Sequence, residues 1–360
     1  MIQRIKDRLN HEYWPWWAIY LPVVPFYLWQ ALRSRRAAFF TNVNPAIDLA
    51  GFFGERKSAI LSGLPAGSYP TTLVIGAHPT AQDPMALVLD SGIGLPLIVK
   101  PDVGERGDGV TLVSSEPELR KALTGRQGDL LIQALAPGEH EFGLFFARDP
   151  GSGRTTLLSI TGKHFLSVTG DGRHTVAELL SRTHRGSRQL KRLRTYAGAL
   201  LDSVPPAGRS VRVEPIGNHC RGTHFVDAGH LRTPALEQAL ERLMGATTGL
   251  YYGRMDVRCT DEDALRAGSF MLIEVNGVSS EPGHIYDPSW SIWRCWAELV
   301  RHVRYIGRIS MQLQQQGVEP ASLRDVLVRS REHFGWRFGP LAAPTGGRSH
   351  APAHQASAMP

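Results

Sequence analysis

The stretch SFMLIEVNGVSSEP (269–282) has the apolar run of a buried strand, interrupted by a carboxylate and an amide, Glu274 and Asn276. Strand side chains alternate faces, so Glu274 and Asn276 share one surface while Ile273 and Val275 share the other. The upstream segment YYGRMDVR (251–258) repeats the arrangement, with Arg254 and Asp256 on one face and Met255 and Val257 behind. The polar connection between the segments reads as that of a hairpin. Uncompensated, the two carboxylates would be costly to pack together. Oxygen ligands at this spacing suit Mg²⁺, which takes carboxylates, waters and substrate phosphates. Arg254 could then stabilise charge on a phosphoryl or tetrahedral oxygen. The competing reading is a partly exposed sheet carrying an Arg254–Asp256 salt bridge.

A second element is IVKPDVGERGDGV (98–110). Lys100 ends an apolar strand, and Gly104, Gly107 and Gly109 follow, so an ammonium and several backbone N–H groups can surround one anion. The loop reads as a flap over phosphates. A glycine-rich tip is also an ordinary turn. Neither GxxxxGK[ST] nor GxGxxG is present, which excludes the P-loop and the Rossmann fingerprint.

Around these, 39–61 reads as a strand or loop leading into a short helix, 81–94 as a helix ending in glycines, and LPLIVKP (95–101) and GVTLVSS as the two strands of a hairpin. Ser115 and Glu118 read as a capping box for the next helix, followed by the strand DLLIQAL (129–135). EFGLFFARD, TTLLSITGKHFLSV and VRVEPI form a strand-rich block around a helix opened by Thr175 and Glu178. Thr233 and Pro234 open a helix with Leu236, Leu240 and Leu243 on one face. The closing helical stretch repeats apolar groups at Trp293, Trp296, Val300, Val303 and Ile306. The Pro/Ala/Gly/Ser-rich tail is expected to be disordered. There is no internal repeat.

The 360 residues, 42% of them apolar, can bury a core of two or three subdomains. The formal charge of +7 suits an anionic partner, but the basic residues are dispersed, which argues against a nucleic-acid groove. Cys220, Cys259 and Cys295 form no CxxC pair, which points to a reducing, cytoplasmic home without a disulfide framework. The spacing of His219, His224 and His230 matches no common zinc motif. Residues 13–32 (YWPWWAIYLPVVPFYLWQAL) carry no charge and are followed by Arg33, Arg35 and Arg36. They reach the length of a spanning helix, but Pro15, Pro22 and Pro25 would break or kink it, and the segment makes a poor signal peptide. An arm over 13–36 resting on the inner face of a membrane is one reading, because Trp and Tyr favour headgroup depth and arginines meet anionic lipid. A core-packing or oligomerising arm is the other.

Taken in order, KPDVGERGDGV, IQALAPGEHEFG, GRMDV and IEVN resemble the ATP-grasp superfamily over roughly residues 71–300. TGDGRHTVAELL (169–180) and GNHCRGTHF (217–225) resemble its carboxylate–amine ligases, in the D-alanine–D-alanine ligase and cyanophycin synthetase branches. The resemblance implies an α+β ATP-grasp fold, two subdomains clasping ATP, divided as an arm (1–70), a glycine-loop subdomain (71–137), a catalytic subdomain (138–300), C-terminal helices (301–338) and a tail (339–360). It implies two Mg²⁺ ions, or Mn²⁺, on Asp256, Glu274 and Asn276. Lys100 and Lys163 would meet phosphates, Gly104, Gly107 and Gly109 the β- and γ-phosphates, and the backbone of Gln133, Ala134 and Leu135 the adenine. Glu139 or Glu141 would take the ribose, and Asn218 and Arg221 would support the γ-phosphate beside Arg254. The implied activity is ligation of a small-molecule carboxylate to an amine through an acyl phosphate. A phosphotransferase on the same scaffold and a membrane-leaning nucleotide binder without turnover are the rivals. Ligases of this kind are often dimers, so a homodimer is allowed. The region before residue 71 is shorter than the substrate-binding domain of a full ligase. Asn44, Glu55, Lys57, Glu281 and His284 are polar groups in loops that could serve a substrate pocket, or plain surface and cap residues.

Overall fold

The computed structural model of the chain describes residues 10–77, 83–104, 107–124 and 128–335. The tail beyond 338 and the flap residues 105 and 106 lie outside them. Two antiparallel sheets organise an α+β architecture. The first has the order β1-β4-β2-β3, from β1 (Thr72–Ile75), β2 (Leu97–Pro101), β3 (Thr111–Val113) and β4 (Leu130–Ala134). Leu97, Val99, Val113 and Ile132 pack against the helices Pro84–Asp90 and Glu116–Thr124 through Met85, Val88, Leu119 and Leu123. The glycine-rich stretch joins β2 to β3, paired as the expected hairpin. At the next helix, Glu118 reaches back to the N–H of Ser114 at 2.8 Å, one residue earlier than the Ser115 box.

The second sheet, in the order β11-β10-β5-β6-β9, comprises β5 (His140–Arg148), β6 (Thr155–His164), β9 (His224–Asp227), β10 (Tyr252–Cys259) and β11 (Met271–Asn276). A small third sheet pairs β7 (Ser167–Thr169) with β8 (Ser210–Arg212). Strand β5 reads as an unbroken apolar run because both its faces are covered. Leu144 and Phe146 pack under the helix Pro234–Gly245, while Phe145 and Ala147 meet the long helix Ile292–Gln315 through Ile309 and Leu313. That long helix covers only part of its face. The rest, carrying Glu141, Gly143, Lys163, Asp256 and Glu274, is where the polar cluster forms.

The caps at Thr175 and Thr233 hold as expected: a reciprocal box with Glu178, and a side chain accepting from Leu236 N. Strands β10 and β11 pair antiparallel as the hairpin reading expected, across a connection that contains the helix Glu262–Arg266. Three readings need correction. Pairing of Asp256 with Glu274 and of Val257 with Leu272 leaves Ile273 as a bulge, so Leu272 takes the core position expected of Ile273. Trp293 is 74% exposed, because the long helix turns Cys295, Leu299 and His302 inward instead. That helix also runs through residue 300, so the boundary placed there falls inside one element.

Residues 39–61 contain no strand. They form 3-10 turns before the helix Lys57–Ser62, and backbone bonds from Val278 N to Ala50 O and from Ser279 N to Gly51 O seat the segment on the end of β11. A Cβ on Gly277 would lie 2.3 Å from Ala50 O, so only glycine allows this approach. Gly277→Ala is expected to cost about 2 kcal/mol or more, read as a lower midpoint in chemical unfolding. The prolines divide the arm as expected, into the helix Trp16–Tyr20, a 3-10 turn Leu21–Val23 and the helix Val24–Ser34. No described helix is long and apolar enough to cross a membrane.

Candidate active site

Register builds the site. Asp256 lies opposite Glu274 on one side and Gly143 on the other; Arg254 lies opposite Asn276, and Glu141 opposite Lys163. All therefore share one face. Gly143 leaves the space that the Arg254 stem occupies, 3.1 Å from where a Cβ would stand. The Arg254 guanidinium grips Asp256 with Nε at 2.9 Å and a second nitrogen at 3.2 Å. Lys163 Nζ sits 3.1 Å from Asp256 and 2.7 Å from Glu141. Asn276 donates to Asp256 at 3.4 Å, and Arg258 stands 3.8 Å from Glu141. The Arg254–Asp256 pair of the competing reading thus exists, but it is buried and shared with a second cation.

The charges answer one another. Burial alone would raise the Asp256 carboxyl, but Arg254 and Lys163 outweigh it and hold it below its ordinary value. Burial likewise pulls the Lys163 ammonium down, and Asp256 with Glu141 more than restores it. Lys100 has no such compensation: burial lowers it, and nearby Glu274 recovers only part. Its Nζ donates to Gln133 Oε1 at 3.0 Å and to the bulged Ile273 carbonyl at 3.4 Å, so it bridges the two sheets.

Two further bridges place the glycine-rich flap over this face. Lys57 donates to the Gly104 carbonyl while its Nζ stands 3.7 Å from Glu274. Arg221 donates to the Gly107 carbonyl at 2.6 Å. Asn218 instead caps the short turn that carries Arg221, accepting from Cys220 N at 2.8 Å. Gly109 packs on Pro101, and Ala134 and exposed Leu135 follow Gln133 along the edge of the cleft. Glu141 is buried in ion pairs, whereas Glu139 is exposed.

Of the loop residues, Lys57 joins the cluster directly and Glu281 borders it. The Glu281 carbonyl accepts from Arg254 at 3.1 Å, and its carboxylate accepts from the hydroxyls of Tyr20 and Tyr286. Asn44 is fully buried and bonds the backbone of Ala50, Tyr251 and Tyr252, a structural role. Sequence reasoning missed Glu12, which is buried against Arg185 and His219 and brings the arm to the loop 217–225. No local pattern marks it, since its partners are supplied by distant segments.

His284 belongs to a network behind the site, with Glu298 at 3.6 Å; His302 is 3.2 Å from Glu298 and 2.7 Å from the Tyr252 hydroxyl. Burial would raise Glu298, but hydrogen bonds from His284 and His302 and the charge of Arg301 hold it well below its ordinary 4.5. Burial lowers His302 from 6.5. Each folded value lies below the unfolded one, so the unfolded chain binds more protons and stability falls with falling pH. Thermal stability is expected to drop first below about pH 6.5 and again below about pH 4.5. Glu298→Gln should flatten the second step in a series of melts against pH.

Among the described residues, no group of three or more His, Cys, Asp or Glu is arranged to hold a metal. The oxygen set here counts an amide, with Asp256, Glu274 and Asn276 side by side. Its hard-donor chemistry fits Mg²⁺. Glu274, a third exposed and 3.7 Å from its cation, has free coordinating capacity, whereas Asp256 would have to share oxygens now held by Arg254 and Lys163.

No protein-family model and no curated protein matches the chain. Among solved structures it is similar to a bifunctional glutathione synthetase from Pasteurella multocida, at 17% identity and a TM-score of 0.37, over 69% of this chain and 35% of that one. It is also similar to the D-alanine–D-alanine ligase of Bacillus anthracis, at 15% identity and a TM-score of 0.43, over 73% and 69% of the two chains. The ligase of that name from Coxiella burnetii gives 12% identity and a TM-score of 0.39, over 80% and 64%. The chain thus spans about a third of the synthetase and about two thirds of the ligases.

Proposed function

We propose that this chain is an ATP-grasp enzyme that activates a small-molecule carboxylate as an acyl phosphate and joins it to an amine. The observation that carries the reading is the docking of a glycine-rich flap, through Lys57 and Arg221, over a face that pairs Asp256 with Glu274. Carboxylates interleaved with Arg254 and Lys163 on that face, with Lys57, Lys100 and Arg221 reaching the flap side, suit a metal-bound triphosphate.

In this reading the backbone of Gln133 to Leu135 borders the adenine, and exposed Glu139 takes the ribose because Glu141 is committed to Lys163. Lys100 and the N–H groups of Gly104, Gly107 and Gly109 hold the phosphates. Asp256, Glu274 and Asn276 would hold Mg²⁺, which would supply neutralisation of phosphate charge. Arg254 and Lys163 are cations that can turn from Asp256 to the transferring phosphoryl oxygens, with Arg221 and Asn218 shaping the adjoining loop. The substrate carboxylate oxygen attacks the γ-phosphorus as the bond to ADP breaks. The amine then attacks the acyl carbon, phosphate leaves, and the amine gives up a proton. Positioning and charge neutralisation suffice, so no protein nucleophile is required.

The test is mass spectrometry of the protein incubated with Mg²⁺, ATP, pooled carboxylic acids and hydroxylamine. Hydroxamate and ADP together are the expected products. A stable phosphorylated compound without hydroxamate would replace this reading with a phosphotransferase, and binding of ATP with no ADP from any pool would replace it with a non-catalytic nucleotide binder.

A further inference from the structure

The helix Val24–Ser34 is inverted for a helix facing water. The residues it buries are polar, Gln30 and Ser34, while Phe26, Leu28, Trp29 and Leu32 are 41%, 54%, 62% and 74% exposed. Its inner face is set by a close crossing, where a Cβ on Gly307 of the long helix would fall 2.4 Å from Gln30 Oε1. The preceding turns continue the outer face: Ile19 and Val23 pack inward against Cys295 and Leu299, leaving Trp16, Trp17, Leu21 and Val24 exposed. Single exposed apolar residues are ordinary; a contiguous run of this size marks an interaction surface.

Charge identifies what covers it. Between this helix and the long helix lies a groove of about 540 Å³, with Phe26, Trp29 and Met311 along its apolar wall and Arg33, Arg304 and Arg308 at its rim. All three arginines are exposed, and none has a carboxylate partner among the described residues, unlike Arg36, which pairs with Glu319. An apolar protein surface would satisfy the tryptophans and leave the guanidinium groups unanswered. An anionic bilayer supplies hydrocarbon and phosphate in adjacent layers, and tryptophan favours the depth between them. We propose that residues 16–33, with Arg304 and Arg308, form a face that lies flat on an anionic membrane, the groove receiving the phosphate of one acidic phospholipid. The proposal stands independently of the reaction assigned above. Because Tyr20 also holds Glu281, docking would fix the orientation of the cleft to the membrane.

Flotation of the full-length protein with vesicles of phosphatidylcholine, plain or doped with phosphatidylglycerol, tests this. Binding to the anionic vesicles is expected, weakened by salt. The triple variant Arg33→Gln/Arg304→Gln/Arg308→Gln should lower the partition coefficient about a hundredfold. Trp29→Ala/Leu32→Ala should weaken binding too, and both variants should melt as the parent does because the altered side chains are exposed. Failure to float, equal binding to neutral and anionic vesicles, or unchanged binding of the arginine variant would overturn the proposal. So would a concentration-dependent dimer abolished by Trp29→Ala/Leu32→Ala, which would assign the face to a second copy of the chain.

Discussion

Glu274→Gln is expected to lower hydroxamate formation by on the order of 10³-fold while leaving the fold intact. Glu274 is the one carboxylate of the cluster not saturated by cations: its side chain is a third exposed, and its ion contact, Lys57, stands 3.7 Å away. Glutamine keeps the shape and one oxygen but removes the negative charge with which Glu274 would hold the proposed Mg²⁺. Partial exposure keeps the structural cost within about 1 kcal/mol. Steady-state ADP release with a parallel thermal melt checks both halves. A variant that keeps turnover would remove Glu274 from the reaction, whereas one that fails to fold would leave the chemistry to be tested by Lys100→Met.

Asp256→Asn should behave differently, losing both activity and stability. Two cations, Arg254 and Lys163, converge on this one buried carboxylate, and its removal leaves Lys163 with Glu141, and Arg254 with the Glu281 carbonyl and the less direct charges of Glu274 and Glu281. Stranding a buried charge costs about 3–5 kcal/mol, since the desolvation has already occurred and the compensating Coulomb attraction is gone. The Lys163 ammonium should then fall, because Asp256 is one of the two groups that hold it above its ordinary value. Urea unfolding of the variant beside Glu274→Gln separates the cases: a large loss of midpoint for Asp256→Asn and little for Glu274→Gln. Equal and small losses would mean that the cluster relaxes by admitting water.

The difference between these neighbours was not visible in the sequence. Alternation correctly placed Arg254, Asp256, Glu274 and Asn276 on one face, and the glycine-rich hairpin, the Thr175 box and the Thr233 cap fell where their residue types put them. These are consequences of backbone periodicity and of hydrogen bonds within a few residues, which a chain carries with it locally.

Tertiary structure decided the rest. Whether Ile273 or Leu272 enters the core depends on a bulge set by pairing with β10, and whether Glu139 or Glu141 is available depends on Lys163, a strand away. Lys57 meets Glu274, and Tyr20 meets Glu281, only because the arm and the segment after it fold back onto the end of β11. The aromatic arm is the clearest division. Its composition marked it as unusual and its prolines fixed where it breaks, but which face turns outward was set by a close helix crossing at Gly307. The energy of a contact depends on what surrounds it, and for residues hundreds of positions apart those surroundings exist only in the folded chain.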